Sequence, residues 1–277
     1  MSKDATTKNV KSNGKQYYIE GRPSGTNCIV EIDGDESRDV LAEPYSARCA
    51  VHEYGGASYT VTPAGEIIFT DMKTKKVFLL DPSSKKVSPL MEKANCRYGD
   101  FECHPSAPWV VAIEEDHTDP KPSKVRTFLV LINTQSGERT PLVEGADFYT
   151  SPRSSPDGQS LCWLQWDHPD MPWIGAQLYV ADIDGAGKLD NVTYIAGKAG
   201  TESTSEPRWS PIGDLFFLCD EPGYYQFAFV KSRSWREGKH ITAEKINLTG
   251  TPAPAFGSPD WSLGKYEPIL LPDEFMD

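Results

Sequence analysis

A turn signal of proline and glycine recurs along this chain at intervals of about fifty residues, and it constrains the fold more than any other feature of the sequence. Successive prolines of the signal lie 42, 51, 55 and 48 residues apart. The turns are Thr62–Gly65, His104–Pro105, Ser155–Gly158, Ser210–Gly213 and, more loosely, Ser258–Pro259. A period on this scale is typical of one blade of a β-propeller.

Each turn is expected to open one repeat. It is followed by a short apolar segment that predicts a strand, and each strand by an acidic residue. The predicted strands are Glu66–Thr70, Trp109–Ile113, Ser160–Gln165 and Leu215–Cys219, and the acids are Asp71, Asp116, Asp167 and Asp220. A second apolar segment then ends in Asp, Asn or Gly, which accept the backbone angles of tight hairpins. Most units close with a polar outer strand. No segment after the N-terminus shows sustained helical spacing of apolar residues.

These repeats predict an all-β fold, a β-propeller of five to six four-stranded, WD-like blades over residues 15–266. One blade cannot bury both of its faces alone, whereas radial stacking buries each sheet against its neighbours. Residues 1–14 are expected to be a flexible lead-in and residues 267–277 a tail. Because the tail does not resemble a strand that returns to close a ring, either the propeller is small or the ring is incomplete. A β-sandwich is the alternative fold, but sandwiches lack a repeated proline register.

Composition excludes several classes of function. The chain carries 40 acidic and 28 basic residues, a net charge of −12 that disfavours nucleic acids and anionic membrane surfaces. It has no apolar run long enough to span a membrane and no signal-peptide core near the N-terminus, so a cytoplasmic location is expected. Its six cysteines lack zinc-binding spacing and are interpreted as buried, reduced thiols. No cofactor is predicted.

Three segments resemble the propeller of the prolyl oligopeptidase family of serine peptidases, in its acylaminoacyl-peptidase and dipeptidyl-peptidase-like branch. They are Val51–Tyr59 (VHEYGGASY), Ser154–Trp173 (SSPDGQSLCWLQWDHPDMPW) and Glu206–Asp220 (EPRWSPIGDLFFLCD). Many propellers contain Ser-Pro-Asp-Gly, but VHEYGG and WDHPDMPW in this order are far more specific. The resemblance extends from Tyr17 to Tyr266. It implies a propeller that covers an active site and filters substrates by size to short or N-acylated peptides.

The same family joins this propeller to a C-terminal α/β-hydrolase domain that holds a Ser, Asp and His triad. That domain needs a Gly-x-Ser-x-Gly elbow to expose its nucleophile. No such pentapeptide occurs in this sequence, and no region alternates strands with helices. We therefore expect no catalytic residue here and no peptide hydrolysis by the chain alone. The expected partners are a peptide or an α/β-hydrolase domain.

The cluster His52, Glu53 and Tyr54 is the first candidate site. In one interpretation a histidine and a carboxylate lie at a rim, where they contact a partner domain or a substrate amine. In the other, which the sequence favours, they form an internal hydrogen-bond network that fixes the first blade, and the following glycines allow close backbone approach.

A second set of candidates lies in loops that follow the repeated strands. Trp166, Asp167, His168 and Trp173 belong to one loop, where exposed aromatics suit docking and buried ones suit packing between blades. The equivalent loops contain Asp116 and His117 one repeat earlier and Asp220 one repeat later, which together predict an acidic, histidine-bearing rim. The spacing of His117 and His168 does not match a metal site, so none is predicted.

Three functions compete at this stage. The first is the non-catalytic, substrate-gating propeller of a serine peptidase, active in proteolysis only when joined to a hydrolase domain. The second is a stand-alone propeller that works as a protein-interaction scaffold. The third is a metal-dependent propeller lactonase, for which the sequence supplies no recognisable ligand set.

Overall fold

A computed structural model describes residues 10–12, 14–221, 223–237, 243–245 and 262–264. Within these residues the chain forms five antiparallel sheets of four strands, and in each sheet the strands pair in sequence order. The predicted all-β propeller class is confirmed, with five blades described. The chain divides into two compact units: residues 1–144 with 262–266, and residues 145–261 with 267–277.

The first unit contains three sheets. Sheet 1 consists of β1 (Val10–Ser12), β2 (Lys15–Gly21), β3 (Asn27–Asp33) and β4 (Glu36–Leu41). Sheet 2 consists of β5 (Tyr59–Val61), β6 (Ile67–Thr70), β7 (Val77–Asp81) and β8 (Lys86–Met91). Sheet 3 consists of β9 (Cys96–Cys103), β10 (Trp109–Asp116), β11 (Arg126–Asn133) and β12 (Arg139–Val143). A 3₁₀ turn covers Pro122–Lys124.

The second unit contains two sheets. Sheet 4 consists of β13 (Phe148–Ser154), β14 (Ser160–Trp166), β15 (Gln177–Ile183) and β16 (Leu189–Ala196). Sheet 5 consists of β17 (Thr204–Trp209), β18 (Leu215–Cys219), β19 (Gln226–Val230) and β20 (Glu244–Lys245). A single helical turn, α1 (Pro172–Gly175), follows β14, and a 3₁₀ turn covers Ser234–Glu237.

The recurring turns have the same hydrogen bonds in three of the sheets. The N–H groups of Gly65, Gly158 and Gly213 donate to the carbonyl oxygen three residues earlier, at 2.9, 2.9 and 3.0 Å. Each of these glycines has a positive φ, between 70° and 89°, which glycine adopts without steric cost. The repeated turn seen in the sequence is therefore a repeated piece of local geometry.

These turns lie between the first and second strands of a sheet, not at the start of a repeat as we expected. The strand that precedes each turn was missed because it is short or polar. In β9, β13 and β17 it also carries a bulge at a residue with positive φ, namely Asp100, Ser151 and Glu206. A bulge interrupts the alternation by which strands are recognised.

In the first unit each sheet packs against the next through the two faces of its strands. Ile67 and Phe69 of β6 belong to a core shared with sheet 1, while Ile68 belongs to a core shared with sheet 3. All three side chains are fully buried. Since successive side chains of a strand point to opposite faces, one strand serves two interfaces.

The second unit has one core between its two sheets. Leu164 and Leu178 of sheet 4 pack with Leu215 and Phe217 of sheet 5, and Trp235 closes the cluster. Burying side chains of this size contributes about 1.5–3 kcal/mol each. Five of the six cysteines are buried, and Cys103 is half-buried.

The ends of the chain are described only in part. Val10–Ser12 pairs with Lys15–Tyr17, so the first sheet begins within the segment that we expected to be a lead-in. The tail 267–277, from which we expected either a small propeller or an incomplete ring, lies outside the described residues. No helix in the described part of the chain has the length and apolarity needed to cross a membrane.

Candidate functional site

The family-like segment at residues 51–59 forms a tightly constrained loop before β5. His52, Glu53 and Ala57 have positive φ values of 54°, 64° and 41°, and Gly55 and Gly56 have 74° and 102°. A side chain on Gly56 would place its Cβ 2.1 Å from the carbonyl oxygen of Leu263, so only glycine fits there. Non-glycine residues rarely adopt positive φ unless the surrounding structure stabilises it, so we expect specific contacts to hold this loop.

Glu115 is the residue around which this loop is organised. Its carboxylate is buried and accepts a 2.7 Å hydrogen bond from the His52 backbone N–H at Oε1. Its Oε2 lies 3.1 Å from His117 Nε2. Arg97 lies directly opposite Glu115 on β9, with Nη1 3.7 Å from the same oxygen. Two predicted residues from distant parts of the chain, His52 and His117, thus meet at one carboxylate.

Arg97 connects this carboxylate to the loop. Its Nη1 donates to the Ala50 carbonyl oxygen at 2.7 Å and to Glu53 Oε1 at 2.6 Å. The contacts of this loop are internal ones, as the interpretation favoured by the sequence expects, and contact with a partner stays a prediction. His52 belongs to an internal network, whereas Glu53 and Tyr54 remain exposed, Tyr54 by 58%.

Burial lowers the pKa of His52, although the nearby charges of Glu115 and Asp100 oppose the shift. The neutral imidazole is therefore favoured at neutral pH. Burial also raises the pKa of the neighbouring Cys49 thiol to about 12, so Cys49 is not a nucleophile. Its Sγ donates to the Gly56 carbonyl oxygen at 3.0 Å and helps to fix the loop.

On the other face of β10, Glu114 and Asp116 form a second, buried network. Glu114 accepts two hydrogen bonds from Arg139, at 2.8 and 2.7 Å, and one from Tyr98 at 2.8 Å. Lys93 Nζ lies 2.9 Å from Glu114 and 3.2 Å from Asp116. Burial alone would raise both carboxyl pKa values, but these donors lower that of Glu114, and Thr118 and Lys93 lower that of Asp116 to about 2.

Cys96, Glu114 and Asp116 place potential metal-ligand atoms within 4.8 Å of one another. The Lys93 ammonium contacts both carboxylates and supplies the positive charge that a metal would bring. Burial and the charge of Glu114 raise the pKa of Cys96, which favours the thiol over the thiolate that metals bind. The donor set is better suited to an ion-pair network than to a metal.

In the second unit, Trp166 is buried and packs on its own sheet. Its ring stacks on Phe148 with centroids 5.3 Å apart. The His168 ring contacts the Phe148 ring edge-on, with centroids 4.9 Å apart. Of the two alternatives left open for this loop, Trp166 therefore has the buried one, because its large apolar surface is covered by Phe148 of β13. Trp173 is half-buried in α1, and its neighbours Met171 and Ile174 are exposed.

The repeated acids after the second strands have a shared structural contact. Asp71 accepts a hydrogen bond from Ser46 N–H, Asp167 from Asp147 N–H and Asp220 from Ser203 N–H. In sheets 4 and 5 the donor immediately precedes the first strand. Asp116 departs from this pattern, since it faces Lys93 and Thr118. Burial raises the pKa of Asp220. The hydrogen bond from Ser203 lowers this pKa, and the negative charge of Glu202 raises it.

Sequence reasoning found His52, Glu53 and His117 but missed Glu115 and Arg97, which join them. It also found Asp116 but missed Lys93, its partner on the other face of β10. A signal was available in Glu114–Asp116, three consecutive acids at the end of an apolar strand. Such acids are rarely buried unless paired, so they predict partners, although not which ones.

Similarity to known proteins confirms the resemblance to the propeller of this peptidase family. The structure matches that of a puromycin-hydrolysing peptidase of Mycobacterium tuberculosis with a TM-score of 0.80 and 27% identity. It matches a puromycin hydrolase with a TM-score of 0.82 and 25% identity. An uncharacterised peptidase of Bacillus subtilis, YuxL, is 31% identical over 90 residues, which is 32% of this chain and 12% of that protein. No family model matches the sequence.

The matches cover this chain far more completely than they cover its relatives. They include 94% and 93% of this chain but only 41% of each of the two hydrolase structures. The chain is therefore similar to the propeller region of these two proteins and spans less than half of their length.

Proposed function

We propose that this chain is the non-catalytic, substrate-gating propeller of a prolyl oligopeptidase-type serine peptidase. The observation that carries the proposal is the match over 94% of the chain, at 27% identity, to a puromycin-hydrolysing peptidase of which it spans 41%. The sequence of this chain contains no Gly-x-Ser-x-Gly elbow. The nucleophile would therefore be supplied by an α/β-hydrolase domain.

In this proposal the constrained loop at residues 51–57 provides part of the surface that faces the hydrolase domain or an arriving peptide. Support comes from the exposure of Glu53 and Tyr54 on a loop whose backbone is fixed by Glu115 and Arg97. A rigid loop that presents an acid and an aromatic loses little conformational entropy when it binds. Glu53 and Tyr54 would contact the partner, while His52 would fix the backbone from which they project. A cytoplasmic location is part of the same proposal.

The test joins this chain to the hydrolase region of the M. tuberculosis peptidase, in place of that enzyme's own propeller region. Hydrolysis of a short aminoacyl substrate and of casein is measured for the hybrid, the parent enzyme and the present chain alone. We expect the hybrid to cleave the short substrate and spare casein, and the chain alone to cleave neither.

Two outcomes would contradict the proposal. Turnover by the isolated chain that survives purification would show that it carries its own catalytic group. A hybrid that cleaves casein as readily as the short substrate would show that the propeller does not select by size. A folded hybrid with no activity would favour the interaction scaffold instead.

A further inference from the structure

A cleft of about 430 Å³ opens in the first unit beside the Glu114 network. It is bounded by the turn at residues 74–76, by the segment 92–97 that leads into β9, and by His117 and Pro120. Its volume is within the range of sites that bind small molecules.

The lining of this cleft is cationic although the chain is acidic. Lys75, Lys76, Lys93 and Arg97 line it together with His117, against a single carboxylate, Glu92. Lys76 Nζ contacts Glu92 at 2.7 Å, so this one acid is already paired. On a chain with a net charge of −12, a lining with four cationic side chains and one acid is a specific feature, although carboxylates outside the lining pair with Lys93 and Arg97.

Two of the cations are fixed in place by carboxylates that lie behind them. Lys93 is held by Glu114 and Asp116 at 2.9 and 3.2 Å, which uses two of the three N–H donors of its ammonium group. Arg97 is held by the Ala50 carbonyl oxygen and by Glu53, both through Nη1. In the described part of the chain Arg97 Nε and Nη2 make no further hydrogen bond. Donors therefore remain on both groups.

We infer that this cleft binds an oxyanion, the carboxylate or phosphate group of a small ligand. Fixed ammonium and guanidinium groups are the donors that proteins use for such anions, and their positions need not be ordered when the ligand arrives. The exposed Asn95 and the half-buried Lys75, whose Nζ also donates to Met72 Sδ at 3.3 Å, complete the set of donors around the opening. This site does not depend on whether the propeller serves a hydrolase.

The test is calorimetric titration of the full chain with inorganic phosphate and with glycylglycine, at constant ionic strength. The test variant is Lys75→Gln with Lys76→Gln, which removes two charges from the cleft without exposing a buried carboxylate. The control is Lys85→Gln with Lys86→Gln, an equal change in the next turn of the same sheet. Lys75 and Lys85 share the same backbone conformation, with φ values of 62° and 57°.

We expect saturable binding of at least one probe to the wild type. Removing the charges of Lys75 and Lys76 should weaken this binding about fivefold, as two partly exposed charge contacts allow. The control pair should keep the wild-type affinity. Glycylglycine with an amidated C-terminus is titrated as well. If glycylglycine binds and its amide does not, the bound anion is a peptide carboxylate. Tighter binding of phosphate would identify a phosphorylated ligand.

The inference is overturned if neither probe binds saturably to the wild type. It is equally overturned if the two lysine pairs weaken binding to the same extent, since the effect would then be one of overall charge. Circular dichroism of both variants, compared with the wild type, establishes that any loss arises at the site and not from unfolding.

Discussion

Tyr98 and Glu114 lie directly opposite each other on β9 and β10, and the Tyr98 hydroxyl donates a 2.8 Å hydrogen bond to Glu114 Oε2. The same relationship recurs in sheet 1, where Tyr17 lies opposite Glu31 and donates at 2.8 Å. In both pairs the carboxylate is buried and also contacts lysine and arginine. In these two blades a tyrosine hydroxyl on the neighbouring strand thus donates a hydrogen bond to a buried carboxylate.

Replacing Tyr98 by Phe leaves the buried Glu114 carboxylate with one donor fewer. We expect Tyr98→Phe to lower the free energy of unfolding by about 1.5–3 kcal/mol, and Tyr17→Phe by a similar or smaller amount. Urea denaturation measures both. Tyr18→Phe is the matched control, because Tyr18 lies next to Tyr17 on β2 and makes no side-chain hydrogen bond in the described part of the chain. If Tyr18→Phe cost as much, the hydroxyl contacts would not be the cause.

The low pKa of Asp116 predicts how stability changes in acid. Because its folded pKa is about 2 and its ordinary value is 3.8, ionised Asp116 stabilises the fold above about pH 4. That contribution, about 2 kcal/mol, is lost as the pH falls from about 4 to 2. Asp116→Asn should therefore be less stable than the wild type at pH 7 and nearly equal to it at pH 2. Asp35→Asn, at an exposed turn, is the control. A difference that persisted unchanged at pH 2 would contradict this origin.

Gly56 is predicted to tolerate no side chain. Gly56→Ala combines a positive φ of 102° with a Cβ only 2.1 Å from the Leu263 carbonyl oxygen. Gly25→Ala is the matched control, since Gly25 has a φ of 82° but no atom within 4 Å of its would-be Cβ. We expect Gly25→Ala to cost about 1 kcal/mol through strain alone, and Gly56→Ala to cost more, because the contact with Leu263 must also break. Thermal unfolding of the two variants gives the comparison. Equal melting temperatures would mean that the Leu263 contact adds nothing.

Trp166 tests the packing found in the second unit. Trp166→Ala should lower the free energy of unfolding by about 3–5 kcal/mol, because it removes a buried ring stacked on Phe148. Met171→Ala, in the same loop but 38% exposed, should change it by less than about 0.5 kcal/mol. Chemical denaturation followed by far-ultraviolet circular dichroism measures both. If Met171→Ala cost more than Trp166→Ala, the loop and not the tryptophan would stabilise this end of β14.

Local sequence determined much of the fold. The glycines at positions 65, 158 and 213 adopt positive φ in the recurring turns, and the strands after them were predicted to within one residue at either end. These features depend on neighbours along the chain, so a repeated motif was enough to indicate blades. The first strands of sheets 3, 4 and 5 were not predictable in this way, because the bulges at Asp100, Ser151 and Glu206 break the alternation of side chains.

The candidate site was decided by the tertiary structure. The sequence singled out His52 and His117, which are 65 positions apart, but gave no reason to connect them. They meet because β9 and β10 pair in a register that places Arg97 opposite Glu115, and because the folded loop brings the His52 amide to the same carboxylate. Sequence thus determined the residue types and local turns, since these follow from short-range sterics. Which charges face one another, and which are left to line a cleft, depends on strand register and on packing between sheets.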